Sequence, residues 1–142
     1  MKPEQYWMLQ SGITIIGWPL SAFFTYRCGL RSQAVAALRE SKVAALAVID
    51  QVRQDIHTCL YLPKIIAPAQ MRLKDPVFNF SARFAAQRRV RIETAWREYQ
   101  SVGEDDVHPD NRAFRDGGYT AEKARLLLLE PLEKLRAEID PA

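Results

Sequence analysis

Three groups of side chains in this 142-residue chain have types and spacings that could do chemistry. The most prominent is basic: Arg83, Arg88, Arg89 and Arg91, followed by Arg97. Such a cluster suits anionic lipid headgroups, where each cation near the surface contributes about 1 kcal/mol. Arg83, Arg88, Arg89 and Arg91 are therefore candidate lipid contacts. Glu93 and Glu98 interrupt the stripe and no nucleic-acid motif accompanies it, so nucleic acid is not an expected partner. The same two glutamates stand at helical spacing from the arginines, so a solvated, ion-paired helix face is the plainer reading.

A second group is acidic: Glu104, Asp105, Asp106, His108 and Asp110 place oxygen ligands and one imidazole in a short loop. It lacks the alternating aspartates and distal glutamate of a calcium loop, and His108 has no second histidine at ligand spacing. A mobile, solvated loop is expected. The third group, His57 with Cys59, offers a base and a nucleophile. Side chains two apart on a helix point in different directions and cannot bond directly, so packing at a helix end is expected there. No catalytic, cofactor or metal constellation converges in the sequence, and the expectation is a protein that is not an enzyme.

The elements that carry these groups begin with residues 6–26, YWMLQSGITIIGWPLSAFFTY, 21 residues without a charge, followed by Arg27. As a helix that stretch is roughly 31 Å long, close to the ~30 Å hydrocarbon core of a bilayer. Tyr6 and Trp7 at one end, and Phe23, Phe24 and Tyr26 at the other, have the amphipathic rings that prefer the headgroup zone. Gln10, Ser11, Thr14, Ser21, Thr25 and Pro19 dilute it, and a buried core helix is the competing reading. Glu4 beside Lys2, and the lack of a small-x-small pair before Arg27, argue for an uncleaved anchor rather than a signal peptide. Lys2 alone precedes the stretch, whereas Arg27, Arg31, Arg39 and Lys42 follow it. The positive-inside bias then puts the amino terminus outside and the rest in the cytoplasm. Gly17, Ser21 and Thr25 recur every four residues, a spacing that admits close approach of a second helix and marks them as candidate pairing residues.

Removing an anchor of residues 1–29 leaves 30–142, enough for one cytoplasmic helical domain. The net charge of +3, from 20 basic and 17 acidic residues, announces no polyanionic partner. Residues 32–62 lack Gly and Pro and predict one long amphipathic helix, with Ser32 as its N-cap and Gly29 as a break from the anchor. Val35, Leu38, Ala45, Ile49, Val52, Ile56 and Cys59 form a heptad-like seam if Lys42 is admitted. The seam suits burial against later helices, with pairing to a second copy as the alternative. On such a helix Cys28 and Cys59 lie roughly 46 Å apart, beyond bridging, so reduced thiols are expected.

Three prolines make residues 63–76 a connector that reverses the chain. Residues 76–102 predict a second amphipathic helix with Phe84, Ile92, Ala95, Trp96, Tyr99 and Val102 on its core face. A polar loop with Gly103, Pro109, Gly117 and Gly118 follows. Thr120 caps a third helix carrying Leu126, Leu127, Leu128, Leu129, Leu132, Leu135 and Ile139, which Pro131 should kink or split. The fold class is thus all-α: an N-terminal transmembrane helix, a long amphipathic helix and a small hairpin or three-helix cytoplasmic domain.

The short amino-terminal span, the long helix, the AWREY pattern at 95–99 and Tyr119 after a polar loop resemble the small, uncharacterised single-pass membrane proteins common in bacterial genomes. That resemblance implies a bacterial inner-membrane protein and carries no functional residue across. The functional expectation is a membrane-anchored interaction or scaffold module. Its partners are membrane lipid, an unidentified protein, and a second copy through the span or the 32–62 helix. The alternative is a membrane-perturbing, toxin-like accessory protein, for which the polar, proline-bearing span is the relevant feature.

Overall fold

A computed structural model describes the backbone of residues 3–114 and 120–141, and the side chains of residues 20–112, 114 and 120–141. Helix α1, Pro3–Thr58, is followed by α2, Pro63–Ser81, α3, Ala86–Gln100, and α4, Ala121–Ile139. Two 3-10 turns, Asp105–Val107 and Arg112–Phe114, lie between α3 and α4. The chain is all-helical among the described residues. Packing divides it into two compact units, Met1–Ala37 and Leu38–Ala142, and the division falls inside α1.

In the first unit every residue from 20 to 36 except Gly29 is exposed, including Leu20, Phe23, Phe24 and Tyr26. Gly29 does not break α1, and Ser32 does not cap a new helix. Its hydroxyl instead donates to Gly29 O at 2.9 Å, back into the preceding turn of the same helix. Most of the uncharged 6–26 stretch, residues 6–19, lies outside the described side chains. Among the described residues no helix is long and apolar enough to cross a membrane.

The second unit is a four-helix bundle, one helix more than the sequence predicted. The extra helix is the expected connector. Pro63 occupies the first turn of α2, where its missing donor would be unbonded anyway, while Pro68 and Pro76 lie inside the helix. Interior prolines cost about 3 kcal/mol each. Here Pro68 is exposed and Pro76 half-buried, so the carbonyls they free, Lys64 O and Arg72 O, belong to exposed residues and can reach water. The opposite face, Ile66, Ala69, Leu73, Val77 and Phe80, recurs at helical spacing and is buried to 3% exposure or less. Burial at about 25 cal/mol per Å² over five such side chains outweighs the proline penalty.

The predicted 76–102 helix is correspondingly divided. Residues up to Ser81 complete α2, a tight turn follows with Arg83 N donating to Phe80 O and Phe84 N to Ser81 O, and α3 begins at Ala86. Phe84 sits in that turn, ring to ring with Phe80 at 4.9 Å. In α4 the expected cap is present, Lys123 N donating to Thr120 Oγ1 at 3.2 Å. Pro131 neither splits nor ends α4, because it too lies toward the outside, and Leu127, whose carbonyl it frees, is exposed.

Direction follows from side-chain pairs far apart in sequence. Lys42 bonds Asp140, Asp50 faces Arg136 and Arg53 bonds Glu133, so α4 runs antiparallel to the carboxy-terminal part of α1. Arg72 with Asp55, and Phe78 with Trp96, set α2 antiparallel to α1 and α3 antiparallel to α2. Arg91 with Glu138 and Lys134 with Glu98 do the same for α3 and α4. The result is an up-down-up-down bundle with short connections. Its core takes Ala45, Ile49, Val52 and Ile56 from α1, and Ile92, Trp96 and Tyr99 from α3. From α4 it takes Leu128, Leu132, Leu135 and Ile139, which meet the buried face of α2. The seam predicted for the long helix is therefore filled from within the chain from Ala45 to Ile56, while Val35 remains exposed.

Candidate functional site

Bundle topology sorts the charged groups by end. In an up-down-up-down arrangement the α2–α3 turn lies at the end where α1 enters, and both the α1–α2 and α3–α4 connections lie at the other. Residues 82–91 contain four arginines and no acid, and residues 103–111 contain four acids and no lysine or arginine. The basic turn and the acidic loop thus occupy opposite ends of the bundle.

At the basic end the four arginines come together but are not equivalent. Arg89 Nε donates to Glu93 Oε1 at 2.7 Å, and Arg91 Nε lies 3.4 Å from Glu138 Oε2. These two carry their own counter-charges, as the spacing with Glu93 suggested for one of them. Arg88 stacks its guanidinium over the Phe84 ring, 4.2 Å from the centroid, which orients the group without neutralising it. Arg83 is exposed and makes no ion pair among the described residues. Arg39, one turn before Lys42 on α1, is likewise exposed. Arg97 belongs to the last turn of α3, away from the α2–α3 turn. Glu98, expected to pair with the arginines, instead meets Lys134 at 3.6 Å.

Lys42 marks the same end. Its ammonium bonds the exposed Asp140 carboxylate, and that hydrogen bond together with the positive charges of Lys42 and Arg136 holds the Asp140 pKa below its usual value. Beside it, Gln87, Arg88, Arg91, Ala137, Glu138 and Pro141 line an open groove of about 330 Å³. A second groove of about 370 Å³ continues between α3 and α4 over Val90, Thr94, Ala95 and Ala137, with Arg91–Glu138 and Glu98–Lys134 on its rims. Both have the size of a small-molecule site. Their walls hold mutually compensating ion pairs and no convergent acid, base or nucleophile.

At the acidic end Glu104, Asp105, Asp106 and Asp110 are exposed, as in the solvated loop the sequence suggested, around a short hydrogen-bonded turn. Asp106 Oδ2 accepts from Gly103 N at 2.7 Å, Asn111 Nδ2 donates to Asp105 O at 2.8 Å, and Val107 is fully buried. His108 Nδ1 accepts from Asp110 N at 3.2 Å, and its ring meets Tyr61 edge-on at 6.3 Å. One of the loop's acids, Asp106, is thus spent on capping the backbone. Among the described residues no three His, Cys, Asp or Glu side chains are grouped as a metal ion would require.

His57 is exposed, whereas the Cys59 thiol donates to Tyr61 O at 3.2 Å, so the two do not act on each other. Cys28 and Cys59 are both free thiols. Of the candidate pairing residues, Gly17 lies outside the described side chains. Ser21 and Thr25 are exposed, and Thr25 Oγ1 donates to Ser21 O at 2.9 Å within α1. Tyr119 also lies outside the described residues.

Sequence reasoning missed the ion pairs between helices. Asp50 is the clearest case: its buried Oδ1 sits between Arg53, 3.4 Å away, and Arg136, 3.5 Å away, without a hydrogen bond to either. The contact is an ion pair of poor hydrogen-bond geometry, and its partner is 86 residues distant in sequence, beyond the reach of any local spacing rule. No protein-family model, curated protein or solved structure matches the chain.

Proposed function

We propose that this protein is a single-pass, membrane-anchored module whose four-helix bundle stands in the cytoplasm and acts by binding other proteins rather than by catalysis. The observation that carries this reading is the uncharged 6–26 stretch on α1, of bilayer length, followed by Arg27, Arg31, Arg39 and Lys42. The side chains that continue the stretch support it. Leu20, Phe23, Phe24 and Tyr26 are all exposed, a run of large apolar groups that water does not favour and an interface would cover. Bacterial inner membrane is the compartment this orientation implies, as does the resemblance to small single-pass proteins. Pairing with a second copy through Gly17, Ser21 and Thr25 belongs to the same reading.

Fractionation tests it directly. The full chain, expressed in bacteria, is expected to stay with the membrane after alkaline carbonate washing, and a carboxy-terminal reporter should be active only in its cytoplasmic form. Release into the supernatant by carbonate, or a reporter active outside the cytoplasm, overturns the reading. Replacing Gly17 and Ser21 by leucine should abolish self-association in a membrane dimerisation assay, and an unchanged signal removes the pairing.

A further inference from the structure

The face that α3 and α4 present side by side carries a charge pattern that fits a copy of itself. We propose that the protein self-associates through this face, with α3 and α4 of one copy laid against α3 and α4 of a second. The inference rests on the reading above that the bundle binds protein, and it names the partner and the surface. Every residue it uses belongs to the Leu38–Ala142 unit, so it stands apart from the anchor.

Charge supplies the first reason. Two ion pairs span the seam between the helices, Arg91 with Glu138 at 3.4 Å and Glu98 with Lys134 at 3.6 Å. Each helix therefore contributes one cation and one anion, and because α3 and α4 run antiparallel the signs alternate around the square. Such a square is complementary to itself. A two-fold axis along the helices sets Arg91 against Glu138 of the second copy and Glu98 against its Lys134. An axis across the helices sets Arg91 against the second copy's Glu98, and Lys134 against its Glu138. Opposite charges meet in both cases, as a contact between two identical patches requires. The square has no net charge, so two copies do not repel each other there.

The surface inside the square supplies the second. Val90, Thr94, Ala95 and Ala137 line the groove of about 370 Å³ between the two ion pairs. Val90 is 59% exposed, and Thr94 and Ala137 are exposed as well. A small, largely apolar centre with charges at its edges is the layout of a protein interface. The ion pairs within each copy already restrain the four long side chains, which lowers the ordering cost of association. From helix dimensions the face is roughly 22 Å long and 20 Å wide. That is small among specific interfaces, so the pair forms and separates readily.

Crosslinking between two differently tagged full-length copies, each with Cys28 and Cys59 replaced by serine, tests the proposal. One pair carries Thr94→Cys on both copies, and another carries Thr94→Cys on one and Ala137→Cys on the other, matching the two axis directions. A short bismaleimide should link at least one of these pairs, while copies carrying Ala67→Cys on the exposed side of α2 stay unlinked. Charge inversion then identifies the cause. The fourfold variant Arg91→Glu, Glu138→Arg, Glu98→Lys and Lys134→Glu keeps both ion pairs within the chain but inverts the square. Carried by one copy it should lower the yield by roughly tenfold or more, and carried by both it should restore the yield. Val90→Lys in both copies should abolish the link with the helix content unchanged by circular dichroism. Three results overturn the proposal: no link at either pair, equal linking at position 67, or a yield indifferent to the inversion. The last is also what pairing through Gly17, Ser21 and Thr25 alone would give. The anchor is read separately from carbonate washing. Release by carbonate with an inversion-sensitive link overturns the anchor and keeps the self-association, whereas retention without a link does the reverse.

Discussion

Helix α1 is two different objects joined by one backbone. From Ala45 to Ile56 its side chains at every third or fourth position are buried to 1% exposure or less. From Leu20 to Val35 its large apolar groups stand exposed, Val35 at 61%. The helix continues through Gly29 between them, so helix formation does not distinguish them. Only the carboxy-terminal stretch has three other helices to bury against, and tertiary packing supplies most of the stability of a protein helix.

Substitutions at matched apolar positions give the largest test of that contrast. Ile49→Ala should destabilise the bundle by about 2–5 kcal/mol, because it removes buried methyl groups and leaves a cavity. Val35→Ala should change it by no more than about 0.5 kcal/mol. Urea unfolding of the full chain, followed by circular dichroism, measures both. A comparable loss from Val35→Ala would mean that the exposed stretch has a partner within the folded protein, and the contrast would fail.

Alkaline unfolding gives the next effect in size. Burial of the Tyr99 ring against the α2 and α3 core raises its pKa to about 12, with the nearby Arg72 charge opposing the shift. A folded pKa above the unfolded value of 10 means that the folded state holds the proton more tightly. The associated stability is complete below pH 10 and is lost as pH rises toward 12, by up to about 3 kcal/mol. Tyr99→Phe should flatten this decline, and Tyr26→Phe in the exposed stretch should leave it unchanged. A retained decline in Tyr99→Phe would assign it to another group.

The smallest effect concerns the point where the packed part of α1 begins. The Asp140 pKa is lowered, first by the hydrogen bond from Lys42 and then by the charges of Lys42 and Arg136, so its contribution is present above the unfolded value near 3.8 and is lost as pH falls through that region. Lys42→Met should remove this acid dependence with little change at neutral pH, since exposed pairs contribute little there. An unaltered acid limb in that variant would show that the pair does not hold α1 against α4 in solution.

The errors of sequence reading share a cause. Residues 63–76 were expected to be a connector because Pro63, Pro68 and Pro76 are poor helix residues by local rules. Those rules omit which side of the helix each proline faces, and Ile66, Leu73 and Val77 decide that only when a core exists. Pro131 in α4 is the same case. In the acidic loop, polar composition predicted the exposure of the acids but not that Val107 buries itself or that Asp106 caps Gly103 N. Among the arginines, the Arg89–Glu93 spacing was readable at four residues, but the Arg91–Glu138 pair spans 47.

By itself the sequence determined that the chain is helical, which positions from Ala45 to Ile56 of α1 and from Ile92 to Tyr99 of α3 face a core, that Thr120 starts α4, and that residues 6–26 form an uncharged stretch of bilayer length. These follow from short-range periodicity and composition, which the chain carries wherever it is placed. Tertiary structure alone decided that there are four helices in the bundle, that the basic turn and the acidic loop lie at opposite ends, and that Arg91 is already neutralised by Glu138. Each of these depends on groups brought together from distant parts of the chain, and their energies exist only after the core has formed.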